Sequence, residues 1–169
     1  MPRCHRGRAR GTRLLAGPAL AALLIAGGCS LQPRPSGVQS VQLFPYPADE
    51  VWKAAEEAVL ELGVPVATRD RERGLLETEP VRTSVSRLLE VAYFPLVQIF
   101  YSGGMYRIRV SVERLETNTR LEVRLHPEAY NSLFGANRWD TGESNGAIEQ
   151  RIFGSVERKL RRAPAGSAR

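Results

Sequence analysis

The stretch "MYRIRVSVERLETNTRLEVRLHP", Met105 to Pro127, contains two segments in which apolar and polar residues alternate. Such alternation is typical of a strand that buries one face. Thr117 and Asn118 separate the segments, and Asn tolerates the left-handed backbone conformation found in tight turns. The stretch therefore predicts an antiparallel hairpin with these apolar positions on one face: Ile108, Val110, Val112, Leu121, Val123 and Leu125.

The register of this hairpin can be estimated from the same positions. If Val112 lies opposite Val123, Leu115 falls out of phase with the alternation. We therefore expect a β-bulge, or an early end of the strand, near Glu113.

Upstream of the hairpin the pattern predicts a strand, a helix and two more strands. Residues 40–44 alternate as a short strand, and "PADEVWKAAEEAVLELG", Pro47 to Gly63, has apolar residues at helical spacing. Pro47 suits a first helical turn, and Gly63 suits a helix C-cap. "VPVATRD" and "GLLETEPV" then form two strands, joined by a turn in which Gly74 can adopt a positive φ.

Downstream of the hairpin, "SNGAIEQRIFGSVERKLRR" is an amphipathic helix that Ser144 or Asn145 can cap. The whole order of elements predicts an α+β fold, with an antiparallel sheet of about four to six strands and two helices on one face. We expect a single domain over residues 40–162. Residues 163–169 follow as a disordered tail that contains Pro164.

The N-terminal segment has the pattern of a secretion signal. The first thirteen residues carry five arginines and no acidic residue, and an apolar run of fifteen residues follows at 14–28. A transmembrane helix needs about 20 apolar residues, so this run predicts a cleaved signal peptide over residues 1–28.

The end of that run, "IAGGC", resembles the lipobox of bacterial lipoproteins, although Ala26 stands where that motif usually has Leu. The resemblance implies cleavage before Cys29 and acylation of its thiol, so Cys29 is the predicted lipid attachment site. Acyl chains would then bind the protein to a membrane. The alternative is an ordinary signal peptide that happens to precede a cysteine.

Residues 29–39 would comprise the acylated cysteine and a flexible tether. "SLQPRPSGVQS" is rich in Pro, Ser, Gln and Gly, and can span at most about 35 Å. The residue after the cysteine is Ser30 and not Asp. In the bacterial lipoproteins that this segment resembles, that choice is compatible with sorting to the outer membrane. We therefore expect a lipid-anchored outer-membrane protein that faces the periplasm.

Removal of the signal changes the charge and the cysteine count. The whole chain has 24 Lys and Arg against 18 Asp and Glu, but five of the arginines lie in the signal. The mature chain keeps 19 basic and 18 acidic residues, a net charge of +1, which does not indicate a nucleic-acid partner. Cys4 is removed and Cys29 is modified, so no disulfide is expected.

Residues 40–82 resemble the helix-grip domains of the BamC-like lipoproteins, which belong to the outer-membrane β-barrel assembly machinery. The resemblance rests on a helix that opens with an acidic turn and "VW", a Leu-Gly cap and a "D-x-x-x-G" turn: Val51, Trp52, Leu62, Gly63, Asp70 and Gly74. It implies a helix-grip fold and a non-enzymatic accessory or scaffold of envelope assembly, which acts through protein partners. The alternative is a carrier of a lipid or apolar molecule in a cleft between the last helix and the sheet.

Few residues indicate catalysis or metal binding. His126 is the single histidine of the mature chain and is more typical of a surface residue than of a base or ligand. Glu77 with Glu79, and Asp70 with Glu72, are either paired carboxylates or a charged edge that pairs with arginines. We favour the charged edge, and expect no enzyme activity, no cofactor and no metal.

The apolar segment Leu88 to Tyr101 has two interpretations. It contributes a strand and a short helix to the core, or it is an exposed loop that docks on a membrane or a partner. In the second case the candidate contact residues are Tyr93, Phe94, Phe100 and Tyr101. Phe134 and Trp139, in a segment whose polar composition predicts a loop, form a smaller candidate or only cover the edge of the sheet.

Overall fold

The structure is a computed structural model that describes residues 37–94, 101–132 and 137–162. The signal peptide, Cys29, most of the tether, Phe100, Phe134 and the tail lie outside the described residues. The elements in chain order are β1 (Val41–Phe44), α1 (Ala48–Leu60), β2 (Val66–Asp70), β3 (Leu75–Thr78), β4 (Val81–Thr83), α2 (Val85–Leu89), β5 (Ala92–Tyr93), β6 (Tyr101–Arg114), β7 (Thr119–Asn131), β8 (Arg138–Thr141), β9 (Glu143–Ser144) and α3 (Ala147–Arg162).

The main sheet is antiparallel and has seven strands in the described part of the chain. Five follow the order β1-β7-β6-β3-β2, while β4 also pairs with β6 and β8 also pairs with β7. The predicted α+β class is confirmed. The strand count exceeds the expected four to six, and α2 is an additional helix. One reason is Pro80, which cannot donate to a ladder and divides "GLLETEPV" into β3 and β4.

The hairpin of β6 and β7 forms the centre of this sheet. Val110 lies opposite Val123, and the pairing continues without a bulge to Arg114 and Thr119. Of the two expectations near Glu113, the bulge was wrong, since the true register differs from the predicted one by two residues, whereas the strand end was right: β6 ends at Arg114, before Leu115. A shift of two leaves every side chain on its predicted face. The irregularity of the hairpin lies instead at its other end, between residues 101 and 103.

The first helix follows the sequence pattern closely. Pro47 occupies the N-cap of α1, and Gly63 adopts a φ of +71° just beyond its end. The buried face includes Val51, Trp52 and Val59, as the helical spacing predicts.

The "D-x-x-x-G" turn joins β2 to β3. The Asp70 carboxylate accepts a hydrogen bond from the Arg73 N–H at 3.0 Å, and Gly74 has a φ of +61°. A Cβ at Gly74 would lie 2.0 Å from the carbonyl oxygen of Val112 on β6. The turn therefore requires glycine both for its backbone angle and for its contact with the central hairpin.

The helices cover one face of the sheet in two groups. Under α1 and α3, the main core combines Ile152 and Val156 of α3 with Ile108, Val110 and Val123 of the hairpin. A second cluster lies beneath α2, at the far end of the same face. It contains Leu88, Ala92, Phe94, Tyr101 and Ala129.

Candidate functional site

The open face of the sheet is the surface opposite the helices. Arg107 and Arg109 alternate with core residues along β6, so they project onto this face. On the neighbouring strand, Arg124 lies directly opposite Arg109, and His126 lies opposite Arg107. Several of the charges on this face form ion pairs: Arg107 with Glu128, Arg124 with Glu122, and Arg120 with both Glu113 and Glu122.

One corner of the open face carries aromatic side chains. Trp139 of β8 is 50% exposed, and its ring lies 5.4 Å from that of Tyr130 in an edge-on arrangement. Gly103 lies opposite Tyr130, and a Cβ there would meet nothing within 4 Å. Met105 and Arg82 are partners across β6 and β4 on the same face. We call Trp139, Tyr130, Met105, Arg82 and Arg107 the corner patch.

The apolar segment that precedes β6 contributes to the core. Phe94 and Tyr101 are buried, and their ring centroids are 5.3 Å apart. This agrees with the first of the two interpretations, so Phe94 and Tyr101 are not exposed for docking. Tyr93 is half-buried on β5, and its role as a contact residue stays a prediction. Phe100 lies outside the described residues.

A polar cluster lies at the end of the second core cluster. The Asp140 carboxylate accepts hydrogen bonds from Asn131 Nδ2 at 2.8 Å and from Arg138 Nε at 2.9 Å. The buried Tyr101 hydroxyl is close to this carboxylate, but it makes no well-formed hydrogen bond among the described residues. Burial, and then the negative charge of Asp140, raise the pKa of Tyr101 above its ordinary value. Tyr101 therefore stays neutral at physiological pH.

The histidine and carboxylate candidates lie on different strands: Asp70 ends β2, Glu77 of β3 lies opposite Arg109 of β6, and His126 is on β7. His126 is exposed on the open face, which agrees with a surface residue. Asp70 caps its turn and pairs with Arg73 at 3.6 Å, as expected for a charged edge. Within the described ranges, no group of three or more His, Cys, Asp or Glu side chains could hold a metal ion.

The space between α3 and the sheet is filled by apolar side chains. Ile152, Val156 and Val123 are each fully buried there. A cleft of about 550 Å³ lies elsewhere, between the start of α1 and the β2–β3 turn, where Arg71 pairs with Asp49 at 3.0 Å. Charged residues line much of this cleft, so its chemistry differs from that of an apolar ligand site.

Glu149 is a buried residue that the sequence pattern did not predict. It is 1% exposed, although it lies on the amphipathic helix α3. Its carboxylate accepts hydrogen bonds from the Leu125 N–H at 3.2 Å and from the Ser144 hydroxyl at 2.8 Å. Leu125 lies on β7 between the stretches that pair with β1 and β8, so Glu149 satisfies a sheet donor that has no strand partner. The sequence signal for this burial was that Glu149 directly follows Ile148, which lies on the apolar stripe of α3.

No protein-family model matches this chain, and no curated protein matches it. The resemblance of residues 40–82 to the barrel-assembly lipoproteins therefore stays a prediction. In the described part of the chain, no helix has both the length and the apolar character needed to span a bilayer.

Proposed function

We propose that this chain is a lipid-anchored accessory protein of the bacterial outer envelope, which acts through protein contacts and without catalysis. Cys29 would carry the acyl chains, and residues 40–162 would form the working domain on the periplasmic side of the outer membrane. The proposal extends the resemblance of residues 40–82 to the BamC-like lipoproteins of the β-barrel assembly machinery.

The packing beneath α3 is the observation that favours a scaffold over a carrier. A carrier of an apolar molecule would need a cleft between α3 and the sheet, but Ile152, Val156 and Val123 fill that space. Opening it would expose these side chains to water, at a cost of about 1.5–3 kcal/mol for each one. The filled core therefore lacks the cleft that a carrier needs, and the outer surfaces of the domain remain available for contacts with other proteins.

Fatty-acid labelling tests the proposed anchor. The wild-type protein should incorporate a labelled fatty acid and stay with the membrane, whereas Cys29→Ser should lose the label, because serine offers no thiol for the modification. Persistence of both the label and membrane retention in Cys29→Ser would contradict the anchor.

Affinity capture tests the proposed role. The acylated protein, extracted from membranes with detergent and captured through a C-terminal tag, should bring components of the barrel-assembly machinery with it. Cys29→Ser is the matched control, because it keeps residues 40–162 unchanged and removes the acyl chains. Capture of the intact acylated protein without any such component would contradict a role in barrel assembly.

A further inference from the structure

The corner patch combines the two kinds of side chain that favour a membrane surface. The Trp139 indole has an apolar ring and a polar N–H, and Tyr130 beside it has an apolar ring and a hydroxyl. Such rings are enriched at the level of lipid headgroups. Arg107 lies on the same face on β6, the strand next to that of Tyr130, and Arg82 lies on β4, the strand beyond β6.

The charges of the patch favour an anionic surface. Arg82 is exposed and forms no ion pair with any residue that the structure describes. Glu128 lies opposite Met105 across the hairpin, and its carboxylate is 3.9 Å from the Arg107 guanidinium. The corner therefore keeps a positive charge that is free to contact the phosphate groups of anionic lipids.

The shape of the patch favours a bilayer over a protein partner. The sites that dominate protein interfaces are desolvated pockets that enclose an anchor side chain. Here the surface beside Tyr130 is the backbone of Gly103, and a Cβ at Gly103 would meet no atom within 4 Å. Trp139 projects from the edge strand β8. An open corner with a projecting indole can enter a headgroup layer without a matching surface.

The tether places a bilayer within reach of the patch. If Cys29 is acylated, residues 30–40 hold β1 within about 35 Å of the membrane, so even weak contacts can keep the domain docked. We propose that the corner patch docks the domain on anionic lipid headgroups, with Trp139 in the interface and Arg82 and Arg107 on the phosphates. This inference rests on the proposed membrane anchor, and it adds a fixed orientation of the domain.

The test replaces the natural anchor by a chemical one. The chain from residue 29 onward keeps every described helix and strand, and Cys29 is its single cysteine, so its thiol can be coupled to a maleimide lipid. The coupled protein is placed in vesicles of phosphatidylcholine alone, or of phosphatidylcholine with phosphatidylglycerol. Brominated acyl chains then quench indole fluorescence that reaches the bilayer. Trp52 is buried in the core and contributes a constant background.

We expect quenching of Trp139 in the anionic vesicles and little quenching in the neutral ones. Arg82→Gln and Arg107→Gln should each lower the ratio of docked to undocked domains about fivefold. Arg151→Gln and Arg162→Gln remove the same charge from exposed positions on α3 and should leave this ratio unchanged. Added salt should weaken the docking of the wild-type domain.

Absence of Trp139 quenching in both kinds of vesicle would overturn the inference. It would instead favour an acidic protein as the partner of the corner patch. Equal losses in the α3 variants and the patch variants would also overturn it, because net charge rather than the patch would then control docking. Since the anchor is supplied chemically, failure here is independent of whether Cys29 is acylated in the cell, which fatty-acid labelling reports separately.

Discussion

The two faces of the β6–β7 hairpin are built from adjacent residues but have opposite physical roles. On the covered face Val110 lies opposite Val123, and both are fully buried; on the open face Arg109 lies opposite Arg124, and both are exposed. An apolar pair of this kind stabilises a sheet, whereas directly opposed like charges destabilise it slightly. The covered face therefore supplies the stability, and the open face can be used for contacts with other molecules.

Paired substitutions at residues 108 and 109 should give the largest contrast between the faces. Ile108 is 0% exposed in the main core, so Ile108→Ala should lower the free energy of unfolding by about 2–5 kcal/mol. Arg109→Ala, one residue later, should change it by less than about 0.5 kcal/mol. Urea unfolding of the purified domain measures both values. Similar losses at the two positions would mean that the open face also contributes to the core.

Adjacent glycines at the α2 end of β6 allow a second comparison. A Cβ at Gly104 would lie 2.3 Å from Leu88 Cδ2 and 3.1 Å from the Glu128 carbonyl oxygen, whereas a Cβ at Gly103 would meet nothing. Gly104→Ala should therefore cost about 1–3 kcal/mol through overpacking of the second cluster. Gly103→Ala should be neutral or slightly stabilising. Thermal unfolding of the two variants checks this, and equal midpoints would contradict the assignment of the two faces.

The sequence predicts the faces of the hairpin better than its partners. Alternation places Ile108 and Arg109 on opposite sides whichever residue each one faces across the hairpin, so an error of two residues in the register had no effect on burial. The helix start at Pro47 and the turns at Gly63 and Gly74 were also predictable, because the backbone angles that proline and glycine favour depend on the residue itself and not on distant contacts.

Features that depend on contacts distant in the chain were harder to predict. The burial of Glu149 depends on a gap between the stretches of β7 that pair with β1 and β8, which only the sheet topology reveals. The exposure of Trp139 likewise depends on β8 pairing with β7, because the local composition indicated a loop. The corner patch could not be recognised before these pairings were known.

Substitution of charged residues on the outer surface of the helices should change the stability of the fold least, and this change should depend on pH. Lys159 of α3 donates to Glu61 at 2.6 Å and to Glu57 at 3.2 Å, joining the two main helices. The hydrogen bond from Lys159, and then the one from Ser155, lower the pKa of Glu61 below its ordinary value of 4.5. The ionised Glu61 carboxylate therefore stabilises the folded state above pH 4.5. This stabilisation is lost as the pH falls through the lower pKa that Glu61 has in the folded state.

Replacement of this carboxylate sharpens the contrast between buried and exposed groups. Glu61→Gln should lower the urea midpoint modestly at neutral pH, by less than either core substitution, because the Glu61 side chain is 55% exposed and water screens its charge. The difference from the wild type should shrink at about pH 3, where protonation weakens the same interaction in the wild-type protein. Glu116→Gln, in the hairpin loop, controls for the loss of one carboxylate. A difference between Glu61→Gln and the wild type that stays constant from neutral to acid pH would show that Glu61 acts through packing rather than through its charge.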